Sequence, residues 1–261
     1  MQIIIPIVAV TLIGLICGVL LSVASKVMAV EEDPRIPELR AALPGANCGA
    51  CGYSGCDGYA KALTEPGTKT NLCVPGGTET AKALSETLGV ACEEVKKQRA
   101  VVRCKGTCEK TQEKHNYKGI STCRAVKIFY GGSGKCTYGC LGYGDCPSAC
   151  PQGAIRVEKG AASVDETLCT GCGLCTIACP QNLIALFTEE KKTAVLCANR
   201  DMGAKTIKAC KAGCIGCKKC EKTCAAGAIT VRDNLATVNY DLCTGCGECA
   251  AACPVGVITM R

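Results

Sequence analysis

Three stretches of the chain, CTGCGLCTIACP at 169–180, CIGCKKCEKTC at 214–224 and CTGCGECAAACP at 243–254, share the spacing C-x2-C-x2-C-x3-C. Thiols packed this closely along a chain are poorly placed for independent disulfides, but they suit four-thiolate ligation of a [4Fe–4S] cube. In that arrangement three cysteines of a run hold one cluster and the fourth holds its neighbour. Zinc sites use C-x2-C pairs a dozen or more residues apart, often with histidine. One histidine is present, His115, and a packed or exposed side chain is its simplest reading. Composition agrees: 27 of 261 residues are cysteine, with no Trp and two Phe. So little large apolar surface requires something else to hold the fold together.

The runs belong to a repeat with a period of 74 residues. Adding 74 takes Cys136, Cys140, Cys146 and Cys150 to Cys210, Cys214, Cys220 and Cys224. It also takes Cys169, Cys172, Cys175 and Cys179 to Cys243, Cys246, Cys249 and Cys253, and each copy is two half-repeats 29 residues apart. With the fourth ligand exchanged, Cys214, Cys217 and Cys220 pair with Cys253. Cys243, Cys246 and Cys249 pair with Cys224, and Cys169, Cys172 and Cys175 pair with Cys150. The remaining site holds Cys140, Cys146 and Cys179, and Tyr143 stands where the register demands a cysteine. A [3Fe–4S] cluster on three thiolates is one reading. Completion by Cys136, four residues before Cys140, is the favoured one.

Upstream, GANCGACGYSGCDGYA spaces Cys48, Cys51 and Cys56 as C-x2-C-x4-C, and Cys73 follows in NLCVPGG. The interleaved glycines let the backbone wrap closely and aim amide N–H groups at sulfur. Zinc on the same thiols is the alternative. Cys104, Cys108, Cys123, Cys197 and Cys210 are then left over. They suit one further cluster with Cys104, Cys108 and Cys123 as its core and Cys210 or Cys197 as fourth ligand; otherwise some are small packing thiols. VVRC at 101–104 also echoes AVLC at 194–197. The expectation is five [4Fe–4S] clusters, or six if the spare cysteines form one.

The block around Cys48 with its distant Cys73 resembles the small cluster-binding domain of the B subunit of the Rnf complex, and the resemblance extends over essentially the whole chain. It implies an electron-transfer subunit of a membrane-bound, ion-translocating ferredoxin:NAD oxidoreductase. Such a subunit takes electrons from reduced ferredoxin and relays them to partner subunits at the cytoplasmic face of the inner membrane. Whether sodium or protons are exported is left open by the resemblance. Shorter family members carry a single two-cluster ferredoxin, so the second copy and the 104–123 segment are additions here.

The elements that position these thiols are short. AIRVEKGAASVD and AITVRDNLATVN read as hairpins, and TETAKALSETLGVACEEVKKQRA reads as a covering helix that bears Cys92 as a structural thiol. Residues 2–25 are apolar and uncharged, long enough to cross a bilayer as one helix, with Cys17 a packing residue inside it. VMA at 27–29 has the small-x-small look of a signal cleavage site, but no basic residue precedes the run and it exceeds a signal h-region. Lys26, Arg35 and Arg40 put the following side in the cytoplasm; Glu31, Glu32 and Asp33 add nothing. The expected class is α+β: an anchor over 1–30, a small helical iron–sulfur domain over 31–100, and ferredoxin-like modules over 101–194 and 195–261.

The formal charge of +7 falls to roughly −5 once six clusters of net charge about −2 are counted, which argues against nucleic acid. The lysines around 205–222 then screen cluster charge or dock an acidic protein. No G-x-G-x-x-G follows a strand, and GGSGKC at 131–136 is not a phosphate loop. No catalytic residues are expected, so the hydride acceptor or flavin belongs to another subunit. One membrane helix forms no ion pathway, so ion export also belongs elsewhere. The competing readings are a polyferredoxin-like subunit of a hydrogenase or carbon monoxide dehydrogenase system, and a binding module stapled by its clusters.

Overall fold

The computed structural model describes residues 4–27, 33–129 and 131–261. Residues 1–3 and 28–32 lie outside the described residues, and with them the ends of the expected anchor, most of the VMA motif, Glu31 and Glu32. The first helix, α1 (Ile4–Val27), follows the apolar run, with Lys26 in its last turn. Its side chains are described continuously over residues 10–26, and among the described residues no helix is long and apolar enough to cross a membrane.

A helical unit follows. Helix α2 (Ile36–Ala42), α3 (Gly55–Ala62) and α4 (Gly77–Leu88) bury Leu39, Tyr59 and Leu84 against one another. Tyr59 also donates to the Lys69 carbonyl at 2.7 Å and stacks on Tyr53, so its polar tip is satisfied inside the core. The expected covering helix is shorter than its pattern. Gly89 adopts φ 66° as its left-handed cap, and Cys92 lies beyond it, exposed. Because Leu84 is fully buried, Leu84→Ala should destabilise this unit by about 2–5 kcal/mol. Hydrogen exchange should then accelerate over residues 36–88 and remain unchanged in the strands downstream.

The rest of the chain is two copies of one plan. In the first, β1 (Gln98–Val102) pairs antiparallel with β4 (Ile184–Thr188), and β2 (Ile155–Glu158) with β3 (Ala161–Val164). Between them lie α5 (Cys123–Ile128), α6 (Asp145–Ser148) and α7 (Leu174–Ala178). In the second, β5 (Thr193–Val195) pairs with β8 (Ile258–Met260), and β6 (Ile229–Arg232) with β7 (Leu235–Val238). Its helices are α8 (Gly203–Ala209), α9 (Lys219–Thr223) and α10 (Glu248–Ala251). Both expected hairpins are present. They turn at Lys159–Gly160 and Asp233–Asn234, all four residues at positive φ as a type I′ turn requires.

Each copy packs its strands onto thiols. In the first, Ala100, Val102, Ile155, Ala162 and Ile184 share a core with Cys146 and Cys175; in the second, Val195, Ile229, Val257 and Ile258 share one with Cys214, Cys220 and Cys249. The likeness of VVRC to AVLC now has a cause. Each closes the strand that pairs with the last strand of its own copy, and Cys104 and Cys197 follow two residues after β1 and β5.

Candidate metal centres

Four small cavities of closely matched size are each ringed by four cysteines and apolar side chains. Three hold the sets expected from the exchanged fourth ligand: Cys150, Cys169, Cys172 and Cys175; Cys214, Cys217, Cys220 and Cys253; and Cys224, Cys243, Cys246 and Cys249. Short helices bring the third cysteine of each run inward, and a residue at positive φ, Gly173, Lys218 or Gly247, precedes each helix. A fifth cavity, of about 240 Å³, contains no cysteine and lies between β4 and β7.

The fourth cavity joins Cys140, Cys146 and Cys179 to Cys123. Cys136 is not among its lining residues, so the favoured completion by Cys136 gives way to Cys123. The cause is local. Thr122 caps α5 by accepting from the Ala125 N–H, and the Asp145 carboxylate accepts from the N–H groups of Cys123 and Arg124 at 2.9 and 3.1 Å. Asp145 opens α6, which carries Cys146, so one carboxylate ties the two thiol-bearing helix starts together. Burial, and then the neighbouring thiols of Cys140, Cys179 and Cys123, pushes Cys146 up to about 12.

A signal for this was present in the spacing. Cys136 precedes Cys210 by 74 residues, but Cys104 precedes Cys197 by 93. The first copy therefore carries nineteen extra residues between these landmarks, in the segment that holds α5 and Cys123. The insertion supplies the thiol that Tyr143 does not.

In the helical unit, Cys56, Cys73 and Cys51 pack into one core. Asn47 Oδ1 accepts from the Cys56 N–H at 2.9 Å, which fixes the loop that carries Cys48 and Cys51. Burial raises the Cys73 thiol most, and Cys56, Cys48 and Cys51 add to it, so each of the three lies near Cys73.

The spare cysteines divide differently from expectation. Cys108 is exposed, with its N–H on the Lys159 carbonyl, and Cys123 serves the Cys140 cavity, so neither joins Cys104. Cys104 and Cys210 instead flank Gly106, where a Cβ would stand 3.5 and 3.3 Å from their sulfurs. Cys136 and Cys197 both receive hydrogen bonds from Asn199, from its side-chain amide and its backbone N–H.

These donor sets fit an inorganic cluster. Among the described residues no three His, Cys, Asp or Glu side chains converge tightly enough to hold one metal ion. Zinc at a Zn–S distance of about 2.3 Å would need such convergence, whereas these thiols ring a cavity. Burial is the main cause that pushes Cys175 and Cys220 up to about 11, and a cluster held there would supply the positive charge that thiolate ligands need. Amide donors support the sulfurs, as where the Ala100 N–H meets Cys169 Sγ at 3.4 Å.

Comparison with known proteins agrees with this division. Residues 43–75 match a family described by its Fe-S cluster, residues 162–185 a 4Fe-4S binding domain, and residues 213–257 a 4Fe-4S dicluster domain. The B subunit of the ion-translocating oxidoreductase complex of Methanosarcina acetivorans is 41% identical over 230 residues, covering 88% of this chain and 87% of that protein. The B subunit of the Na(+)-translocating ferredoxin:NAD(+) oxidoreductase complex of Acetobacterium woodii is 42% identical, covering 92% of this chain and 72% of that protein. The proton-translocating counterpart from Clostridium ljungdahlii is 38% identical, covering 90% and 84%. With its cysteine cavities and its similarity to these relatives along nearly all its length, the chain belongs to the family of B subunits of ion-translocating oxidoreductase complexes, the Rnf complexes.

Proposed function

We propose that this chain is the electron-transfer subunit of a ferredoxin:NAD oxidoreductase that exports ions, and that it takes electrons from reduced ferredoxin and relays them to the other subunits. The reading assigns five ligand sets, supported by the cavities and the helical unit: Cys48, Cys51, Cys56 and Cys73; Cys150, Cys169, Cys172 and Cys175; Cys123, Cys140, Cys146 and Cys179; Cys214, Cys217, Cys220 and Cys253; and Cys224, Cys243, Cys246 and Cys249. Bound there, a [4Fe–4S] cluster supplies one-electron redox chemistry at low potential. The residues of the chain hold the sulfurs, exclude water from them and set their spacing.

The observation that carries the reading is that the sites adjoin in series. Cys48 lies near enough to add to the raised pKa of Cys172, behind burial as the larger cause, so the helical unit adjoins the first ferredoxin copy. Within each copy, two sites share the pair of short helices that bear Cys146 and Cys175, or Cys220 and Cys249.

Membrane anchorage is the second part of the proposal. What supports it is the sequence, whose residues 2–25 are apolar and carry no charge. The exposed side chains of α1 include Val10, Leu12, Ile13, Leu15 and Leu20, and Lys26, Arg35 and Arg40 on its C-terminal side favour a cytoplasmic location for the thiol-bearing units. Ion export falls to other subunits of the complex.

Ferredoxin is expected at the exposed lysines beside Cys217. Lys218, Lys219 and Lys222 are exposed, and Cys217 itself reaches solvent. Reversing all three to Glu should slow electron transfer from reduced ferredoxin to the anaerobic protein tenfold or more at low salt, with the difference shrinking as ionic strength rises. A protein whose centres ferredoxin never reduces, or one that purifies with hydrogenase or carbon monoxide dehydrogenase partners, would overturn the proposal.

A further inference from the structure

We infer that Cys104, Cys136, Cys197 and Cys210 bind a sixth [4Fe–4S] cluster at the seam between the two ferredoxin copies. The inference rests on the reading that the other cysteine sets hold clusters, and it adds a site that neither copy could build alone.

Each copy contributes the same two thiols. Cys104 and Cys197 follow the first strands, β1 and β5; Cys136 and Cys210 each stand four residues ahead of the first cysteine of their run, Cys140 and Cys214. The hydrogen bonds repeat this symmetry. The Cys140 N–H donates to Cys104 Sγ at 3.4 Å, and the Cys214 N–H donates to Cys197 Sγ at 3.3 Å. Gly106 N–H donates to Cys104 Sγ at 3.4 Å, and Asn199 N–H, two residues after Cys197 as Gly106 is after Cys104, donates to Cys197 Sγ at 3.4 Å.

Two contacts cross the seam and close the set. Gly106, of the first copy, leaves room for Cys210 of the second, since a Cβ there would stand 3.3 Å from Cys210 Sγ. Asn199, of the second copy and 1% exposed, turns its side-chain amide onto Cys136 Sγ of the first at 3.6 Å. The backbone seals the same junction: Thr111 and Cys210 form an antiparallel bridge, and Thr111 Oγ1 donates to the Ala209 carbonyl at 3.0 Å. Cys197 and Cys210 are each 7% exposed.

Two buried and two half-buried thiols brought to one junction, three of them met by oriented N–H donors, are the chemistry of a cluster ligand set. A pair of disulfides would not need the two side-chain and backbone donations of Asn199, which suit a sulfur bearing negative charge. The position also has a consequence for the series of sites. Cys104 is joined by hydrogen bond to the Cys140 site and Cys197 to the Cys214 site, so the seam is where the two copies connect.

Iron and acid-labile sulfide, counted on the full anaerobic chain, test this. The wild-type chain should hold about 24 iron atoms, and Cys136→Ala and Cys197→Ala about 20 each, while Cys108→Ala keeps the full count. A wild-type count of about 20, or a Cys136→Ala chain with an undiminished count, would overturn the inference and leave the five other sites standing; a chain without iron would overturn the cluster reading as a whole. If the cysteine variants do not fold, Asn199→Leu gives a separate readout. It should keep its iron but shift the midpoint potential of one centre alone in an EPR-monitored titration, and unchanged potentials throughout would count against the seam site.

Discussion

A Cys123→Ala chain should lose the cluster of the Cys140 cavity, or keep it only as [3Fe–4S], and adding Tyr143→Cys should restore it. The first half follows from the cavity, which Cys123 completes and Cys136 does not reach. The second follows from the backbone. Gly142, Tyr143 and Gly144 align with Gly216, Cys217 and Lys218 in the 74-residue register. Gly142 and Gly216 both have positive φ, 78° and 66°, as do Gly144 and Lys218, 85° and 59°. Gly142 passes tightly against Gly160, and Gly216 against Asn234, its counterpart in the other hairpin turn. The main chain that aims Cys217 into its cavity is therefore intact around Tyr143, and only the side chain differs. Replacing the tyrosine gives up an edge-on contact with Tyr117 at 5.8 Å, a loss of about 0.5–1.5 kcal/mol, small beside a cluster ligand. Iron content should fall by about one to four atoms in the single variant and recover in the double, with a three-iron EPR signal in the oxidised single variant if conversion wins over loss. An unaltered iron count and spectrum in Cys123→Ala would sink the assignment. Cys136→Ala should leave this centre untouched.

The sequence made most of the regular centres legible because three of the four ligands of each lie within one C-x2-C-x2-C run and the runs recur at a fixed register, so that the fourth follows from the neighbouring run. Spacing alone placed Cys214, Cys217 and Cys220 with Cys253, and the cavity groups them. It also gave both hairpins, since period-2 strands flank residues that tolerate positive φ. What spacing could not give is proximity across an insertion. Cys123 is seventeen residues from Cys140 and reaches the cavity only through α5, whose start is held by Asp145; nothing in the C-x2-C pattern encodes that carboxylate. Cys136 misled because closeness in sequence was taken for closeness in space. Its thiol faces Asn199 of the other copy instead. The pairing of β1 with β4 and β5 with β8 was hidden for the same reason, since each joins the two ends of a copy.

Stripping iron from the anaerobic chain with a chelator under reducing conditions should unfold both ferredoxin copies, because little in them can stand alone. Among the described residues their sheets are all two-stranded, and a lone two-stranded hairpin is marginal in water. Their helices run from four to seven residues, well below the roughly 12–15 at which isolated helices begin to persist. The buried core of the second copy counts Cys197, Cys214, Cys220 and Cys249 among ten residues, so the walls of its cavities are also its interior. Without a cluster those cavities lose the partner that their sulfurs and amides face, and the strands lose the body they pack on. Structural zinc contributes about 10–16 kcal/mol in small domains folded by their metal, and a four-iron centre acting on modules this thin should matter on the same scale. Far-UV circular dichroism of the chain should lose most of its strand and short-helix signal on chelation and regain it on return of iron, sulfide and thiol. Residual helix should come chiefly from α4 and, in detergent, from α1, whose hydrogen bonds lie within their own segments. Native-like hydrogen-exchange protection of β1 and β4 in the iron-free chain would show that the side chains alone suffice to hold the fold.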